Sequence, residues 1–267
     1  MKLLVVLSLI CAAFAAVPHR NVLTVREALK SSSSKIISGQ PAAEGQFPWQ
    51  VLNQFKIPAG TATCGGALIK PRWVLTAAHC AQDAYHFTIT LGSLRSDGAL
   101  EPHAKVVETE KGIVHPNYDP YYLRNDLALV DLQVEVALSN YIQPIPLGTE
   151  NVADGVSLTV SGWGKTSDGP VGVSRVLNFV ELTTISNQQC RDVYGTTVTD
   201  GTLCCKGAPQ HSTCNGDSGG PLVQIIGGTA YHTGVVSFVH VNGCASGNPS
   251  GYARTSYYNG WIESTSA

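Results

Sequence analysis

Ser218 lies in the segment CNGDSGGPL, with Gly216 and Asp217 before it and Gly219 and Gly220 after it. A serine hydroxyl becomes a nucleophile only when a base takes its proton, and an acyl-transfer intermediate needs N–H donors aimed at its oxyanion. Flanking glycines permit a tight turn in which the N–H groups of Gly216 and Ser218 converge. An ordinary glycine-rich turn is the alternative interpretation.

His79 and Asp126 are the residues that could activate such a serine. The base is usually a histidine whose second nitrogen is held by a carboxylate. His79 follows the apolar run WVLTAA and precedes Cys80, which could be joined to Cys64 and so hold the base still. Asp126 precedes the apolar run LALV, where a buried carboxylate would need a partner. The alternatives are a surface histidine and a turn aspartate at the start of a strand.

Short apolar segments punctuated by Gly, Pro, Asn and Asp must position these residues. They include WVLTAA, FTITLG, LALVDL, SLTVSGWG, VLNFVELTTI, PLVQIIGG and AYHTGVVSFV. Such spacing of β-branched and alternating runs predicts an antiparallel sandwich or barrel. A helical period extends over three turns only in the last residues, where TSYYNGWIES allows a short helix that Gly260 weakens.

The N-terminal residues predict export. An uncharged apolar run from Leu3 to Ala16 follows Lys2 and ends in small residues, as in a secretory signal peptide over residues 1–15. Residues 16–35 hold no sustained period and end in SSSSK, which is typical of an exposed linker. Later segments lack the run of about 20 apolar residues that a membrane span requires. We therefore expect a soluble, secreted protein.

The charge balance argues against nucleic acid as a partner. Of 17 Lys and Arg and 19 Asp and Glu, five and one respectively precede Ile36, which leaves a net charge of −6 beyond Lys35. Basic residues form no cluster in that part of the chain, whereas nucleic-acid binding needs one.

The cysteines predict disulfides. Cys11 is lost with the signal peptide, and an oxidising compartment would then join six of the remaining seven cysteines in three bonds. A zinc site is the alternative, but the sequence has no CxxC pair and the adjacent Cys204 and Cys205 are too close for the usual ligand spacing.

The segments TAAHC, DLALV and CNGDSGGPL, in this order, resemble the chymotrypsin-like (trypsin-fold) serine proteases from Ile36 to Ala267. The pattern looks closest to invertebrate digestive chymotrypsin-, elastase- and collagenase-like members. The resemblance implies an all-β fold of two packed antiparallel Greek-key β-barrels, roughly 36–145 and 146–267. The active site would lie in the cleft between the barrels, and no cofactor or metal is implied. It also implies a secreted monomer, with the gut lumen as one compartment.

The resemblance assigns roles to the residues singled out above. Ser218 would be the nucleophile, His79 the general base and then acid, and Asp126 the orienting carboxylate, as in the general template for this triad. The N–H groups of Gly216 and Ser218 would form the oxyanion hole. Ser237 would support the buried aspartate beside the substrate site.

The family's disulfides would join Cys64 to Cys80, Cys190 to Cys204, and Cys214 to Cys244. Cys205 would then be a buried free thiol, although an exchange of roles with Cys204 stays open.

The resemblance also implies activation by proteolysis. A trypsin-like protease would cut after Lys35, and the new α-ammonium of Ile36 would pair with Asp217 to form the oxyanion hole and the specificity pocket. The alternative for residues 16–35 is a solvated spacer with no such role.

Three positions would line the pocket for the residue before the scissile bond. Ser212 would lie at the floor, and Val239 and Ser250 would form the walls, which predicts a preference for small to medium apolar side chains. A one-residue shift would place Gly251 at the wall and favour aromatic residues. Protein substrates, the activating protease and protein inhibitors are the expected partners.

Two further alternatives stay open. The chain could be a binding protein on a protease scaffold, since a fold does not guarantee activity, or a narrow-specificity processing protease. Glu101, Glu108 and Glu110 could form a calcium loop, but we expect a solvated acidic stretch there.

Overall fold

Two seven-stranded antiparallel β-sheets form the body of the protein in the computed structural model, which describes residues 39–164, 172–208 and 211–267. The predicted all-β fold of two packed barrel-like sheets is thereby confirmed. The predicted signal peptide, residues 1–15, and the activation segment with Lys35 and Ile36 lie outside the described residues. Within the described ranges, no helix is long and apolar enough to cross a membrane.

The first sheet runs in the order β6-β5-β2-β3-β4-β8-β7 and carries the segments around His79 and Asp126. Apart from β3, which has 11 residues, its strands are short and bounded by turn residues, as the sequence predicts. Its strands are β2 (Gln50–Ile57), β3 (Gly60–Lys70), β4 (Trp73–Thr76), β5 (His86–Leu91), β6 (Lys105–Thr109), β7 (Gly112–Val114) and β8 (Ala128–Asp131).

The second sheet closes on itself, because β9 pairs with both β10 and β12. Closure removes the exposed edges that an open sheet would present. Alternate residues of β10 are buried, which follows from the two-residue period of a strand. The strands are β1 (Gln40–Pro41), β9 (Ser157–Gly162), β10 (Asn178–Ile185), β11 (Thr202–Lys206), β12 (Pro221–Ile226), β13 (Thr229–Phe238) and β14 (Ser250–Arg254).

In the described ranges, three α-helices accompany the sheets: α1 (Ala78–Ala81), α2 (Asn187–Tyr194) and α3 (Thr255–Thr265). The sequence allowed α3 but not α2, whose two turns are too short for a convincing period. Its start is nevertheless encoded, because Ser186 and Gln189 form a reciprocal capping box. Short 3₁₀ turns follow at Gly195–Thr197 and Cys244–Ser246.

The C-terminal helix fastens the two halves of the chain together. α3 follows β14 of the second sheet, yet its buried residues Tyr258 and Ile262 pack into the core of the first sheet. Lys70 extends from β3 to Glu263, 2.9 Å away, and donates to the Ser266 carbonyl. The sheets are therefore held at a fixed spacing by a segment that belongs to neither.

His232 is a fully buried histidine in β13, beside the start of α3. Its Nδ1 lies 2.8 Å from the Thr255 hydroxyl, and its backbone bonds to Pro146 and Gly148. Burial lowers the pKa of His232 from 6.5 to about 3, because the protonated ring would lose its hydration. The imidazole is therefore neutral in the folded protein near neutral pH.

Replacing His232 with glutamine should remove part of the stability loss at low pH. Below pH 6.5 the unfolded chain protonates this ring while the folded protein does not, down to about pH 3. The stability from His232 is thus complete above pH 6.5 and falls with pH, by up to about 1.4 kcal/mol per unit. Urea unfolding of the wild type and the variant between about pH 4.5 and 7.5 measures this pH dependence of the free energy of unfolding.

Comparing the wild type with the His232→Gln variant separates the contribution of His232 from that of Asp217. The raised pKa of Asp217 makes stability fall as the pH rises, and it does so equally in both proteins. Stability from Asp217 is present below pH 3.8 and is lost as the pH rises toward about 7. Parallel curves for the wild type and the His232→Gln variant would contradict the assignment.

Candidate active site

His79 is fixed at the end of the first sheet by a short helix and a disulfide. It is the second residue of α1, which begins one residue after β4, and Cys80 next to it is bonded to Cys64 of β3. Its side chain is only 5% exposed. The ring therefore has little freedom to turn away from its partner.

Asp126 lies between the sheets and accepts three hydrogen bonds. The backbone N–H and the Nδ1 of His79 lie 2.9 and 2.7 Å from its two carboxylate oxygens. The Ser237 hydroxyl of β13 donates to the same carboxylate at 2.6 Å. Asp126 is 1% exposed, so these bonds replace the water that a buried carboxylate loses. They also orient the imidazole with Nε2 directed away from the carboxylate.

The Ser218 loop is docked onto both sheets through its backbone. The Gly65 N–H of β3 donates to the Ser218 carbonyl at 2.7 Å, and the Gly219 N–H donates to Val236 of β13 at 2.8 Å. Gly219 has a φ of 79°, and a side chain there would overlap the Gly65 carbonyl and the Thr76 hydroxyl. Glycine is therefore required for this close approach.

The reactive atoms of the candidate site have unused hydrogen-bonding capacity. His79 Nε2 is buried and has no hydrogen-bond partner among the described residues, so it is not bonded to the half-buried Ser218 hydroxyl. The N–H groups of Gly216 and Ser218 donate to no backbone carbonyl in the described ranges. Hydrogen bonds of this kind are often long in the absence of substrate. Among the described residues, His79 Nε2 is therefore available to accept a proton, and the N–H groups of Gly216 and Ser218 are available to bind an acceptor.

Asp217 is a second buried carboxylate, and backbone N–H groups hold it. Gly164 and Cys214 donate to its two oxygens at 2.7 and 2.8 Å. Within the described ranges it forms no salt bridge. Burial raises the pKa of Asp217 from 3.8 to about 7, and the two N–H groups oppose that rise. The site would gain stability from a cation.

Ser212 and Val239, two of the residues predicted to line the specificity pocket, are both buried near the Ser218 loop. Val239 packs against the Cys214–Cys244 disulfide, and Ser212 lies two residues before Cys214. The same disulfide therefore positions both residues.

Ser250, the third predicted lining residue, belongs to a buried group of hydroxyls. Its hydroxyl lies 2.8 Å from that of Tyr252, which lies 3.4 Å from the Thr213 hydroxyl. Gly251 is on the opposite face of β14, where a Cβ would overlap the Phe238 ring. Sequence analysis missed Tyr252 and Thr213, although the alternation of β14 places residues 250 and 252 on one face.

The structure contains the disulfides Cys64–Cys80, Cys190–Cys204 and Cys214–Cys244. Cys205 is a buried free thiol, and burial raises its pKa. Adjacent strand residues face opposite sides, so Cys204 meets Cys190 while Cys205 points into the second barrel.

The three acidic residues considered for a calcium loop, Glu101, Glu108 and Glu110, share no common hydrogen-bond or ion-pair partner in the described ranges. Glu101 accepts from the Ser93 hydroxyl and the Leu94 N–H at 2.6 and 3.0 Å, whereas exposed Glu108 lies 3.9 Å from His86. Glu110 is exposed. The Glu101 carboxylate is thus used to close its own loop.

Comparisons with known proteins extend over both sheets. A family model described as Trypsin matches residues 36–262. Brachyurin of Leptuca pugilator is 39% identical over 75% of this chain and 86% of its own length. The collagenase of Hypoderma lineatum is 35% identical over 98% of this chain and 97% of its own. A solved structure of HL collagenase superposes with a TM-score of 0.79 at 34% identity, covering 86% of this chain and 98% of its own.

Removing the Ser237 hydroxyl should destabilise the protein, because it leaves the buried Asp126 carboxylate with one fewer donor. We expect Ser237→Ala to lower the free energy of unfolding by about 1.5–3 kcal/mol, the usual value for a hydrogen bond to a charged group. Ser264→Ala is the matched control, since that exposed hydroxyl donates to the Trp261 carbonyl of its own helix and, in the described part of the chain, supports no buried carboxylate. Equal urea midpoints for the two variants would contradict a supporting role for Ser237.

Proposed function

The chain is a serine endopeptidase of the trypsin family, and we propose that it is secreted as an inactive precursor, with residues 1–15 as signal peptide and 16–35 as activation segment. Cleavage after Lys35 would release the protease domain, Ile36 to Ala267. The observation that carries the proposed site is the hydrogen-bonded set of His79, Asp126 and Ser237 beside the Ser218 loop.

In the proposed mechanism Ser218 Oγ attacks the carbonyl carbon of the scissile bond while His79 Nε2 takes its proton. The unused Nε2 and the hydrogen bond from Nδ1 to Asp126 support this direction of transfer. The oxyanion would accept from the N–H groups of Gly216 and Ser218. His79 then protonates the leaving amine, and water repeats the sequence to release the acyl group.

Asp217 is the proposed ion-pair partner of the N-terminus that activation creates. Its carboxylate is fully buried, and within the described ranges only N–H groups bond to it. A buried charge without a cation is costly, so the new α-ammonium of Ile36 would be a favourable partner. Asp217 lies between the two N–H donors of the proposed oxyanion hole, which links this pairing to the geometry of the hole.

Blocking the cut should keep the protein inactive. Wild-type precursor treated with trypsin, which is then inhibited, should gain at least about a hundredfold in activity, the value of one oxyanion donor. Lys35→Gln should show no such gain, whereas Lys30→Gln, in the same segment, should activate normally. The new N-terminus should read Ile-Ile-Ser-Gly. Full activation of Lys35→Gln would contradict the proposed switch. Rapid self-activation of pure precursor by cleavage after Lys35 would instead contradict the proposed uncharged specificity pocket.

The proposed substrates carry a small to medium apolar residue before the scissile bond. Ser212 would supply no charge at the pocket floor, and the Val239 side chain would narrow the pocket. Both residues are buried, and the Ser250 hydroxyl lies within hydrogen-bond distance of Tyr252. Such a pocket would favour Ala, Val or Leu over large rings. Relatives named collagenase make collagen one protein substrate to include, and digestion in a gut lumen is the proposed setting.

A peptide panel that varies only the residue before the scissile bond tests this preference. We expect the activated enzyme to prefer Ala, Val or Leu to Phe by at least about tenfold in kcat/KM, since pocket fit is worth about 1–3 kcal/mol. The Val239→Gly, Ser250→Gly double variant should gain activity after Phe and Tyr. A variant that gains none would refute the wall assignment. An inactive wild type would favour a binding role instead.

A further inference from the structure

Asn125, the residue before Asp126, is held from two directions. Its Nδ2 donates to the Asn117 carbonyl at 2.7 Å, and its Oδ1 accepts from the Tyr258 hydroxyl of α3 at 3.0 Å. Its φ is 52°, in the left-handed region that asparagine tolerates better than most residues. The two side-chain bonds therefore stabilise a backbone conformation that would otherwise be unfavourable.

The backbone conformation of Asn125 sets the direction of the Asp126 side chain. The Leu127 N–H donates to the Asn125 carbonyl at 2.9 Å, which closes a three-residue turn centred on Asp126. From this turn both carboxylate oxygens reach His79, one through the backbone N–H and one through Nδ1. A rotation at Asn125 would move both contacts together.

Tyr258 is positioned rigidly enough to serve as an anchor. It is 5% exposed, and the His115 ring packs against it edge-on at 5.5 Å between centroids. On another side lies Gly201, where a Cβ would overlap the phenol. Burial raises the pKa of Tyr258, the nearby negative charge of Asp126 adds to that rise, and a hydrogen bond from the Asn125 backbone opposes it. The phenol thus stays protonated and able to donate.

We propose that Tyr258 is a positioning residue for the proposed triad: through Asn125, its hydroxyl holds the turn that directs Asp126 at His79. The C-terminal helix thereby takes part in aligning the general base through Asn125. This inference rests on the proposed function.

The first test is Tyr258→Phe, measured on trypsin-activated enzyme with active-site titration, so that rates refer to folded, active molecules. We expect kcat to fall about three- to tenfold with KM unchanged, the range for one neutral hydrogen bond acting on the transition state. Tyr257→Phe is the matched control, because that neighbouring phenol is 59% exposed. It should match the wild type.

The pH profile separates positioning from general loss of stability. Asp126 is the carboxylate paired with His79 in the described part of the chain, so a displaced carboxylate would stabilise the protonated imidazole less. The acidic limb of kcat/KM should therefore move to lower pH in Tyr258→Phe. A merely structural defect would reduce the active fraction and leave the limb in place, which would overturn the proposal.

A double-mutant cycle tests the route through Asn125. Asn125→Gly keeps the left-handed backbone accessible and removes both side-chain bonds. If Tyr258 acts through Asn125, adding Tyr258→Phe to this variant should cause no further loss of kcat, whereas multiplicative losses would overturn the proposal. Should Tyr258→Phe fail to fold, Asn125→Gly alone must show the shifted acidic limb. An inactive wild type would instead refute the proposed function.

Discussion

The buried carboxylate of Asp126 is the constraint on which the arrangement of the two sheets depends. Removing a carboxylate from water costs several kcal/mol unless hydrogen bonds and a partner replace the hydration. Here the replacement comes from α1 at the end of the first sheet and from Ser237 in the second sheet. All three hydrogen bonds to the Asp126 carboxylate therefore form only when both sheets are folded and packed together. Formation of the site is thus coupled to packing of the two sheets.

The second buried carboxylate, Asp217, differs from the first in a way that suits a switch. Asp126 has a histidine and a hydroxyl as partners, whereas Asp217 has only backbone N–H groups among the described residues, and its pKa is raised to about 7. Side chains at Gly162 and Gly164 would overlap the Asp217 carboxylate. Glycine at both positions therefore lets the backbone of residues 162–164 lie directly against that carboxylate. The proposed activation supplies the missing cation at this point and stabilises the adjacent loop.

Segments that cross between the two sheets hold the partners of Asp126 and Asp217 in fixed positions. The strand β1 precedes the first sheet in sequence but pairs with β10 of the second, and α3 leaves the second sheet to pack into the first core. The disulfides act over shorter distances: Cys64–Cys80 fixes the proposed base, and Cys214–Cys244 fixes Val239 and the loop before Ser218. Rigid elements thus surround a site whose reactive atoms lie on a loop and on the one-turn helix α1.

The sequence by itself determined the fold class, because its short apolar runs and turn residues fit an antiparallel barrel and its three motifs resemble one family. It also singled out His79, Asp126 and Ser218, since these residue types occur in contexts that chemistry requires. The resemblance already paired Ser237 with Asp126, and the structure gives that contact. Only the tertiary structure decided that groups such as Tyr258 and Asn125 meet across a long separation. It also decided that Cys205 is the free thiol, because strand direction separates adjacent cysteines. Contacts of this kind depend on sheet packing and register, which local pattern does not encode.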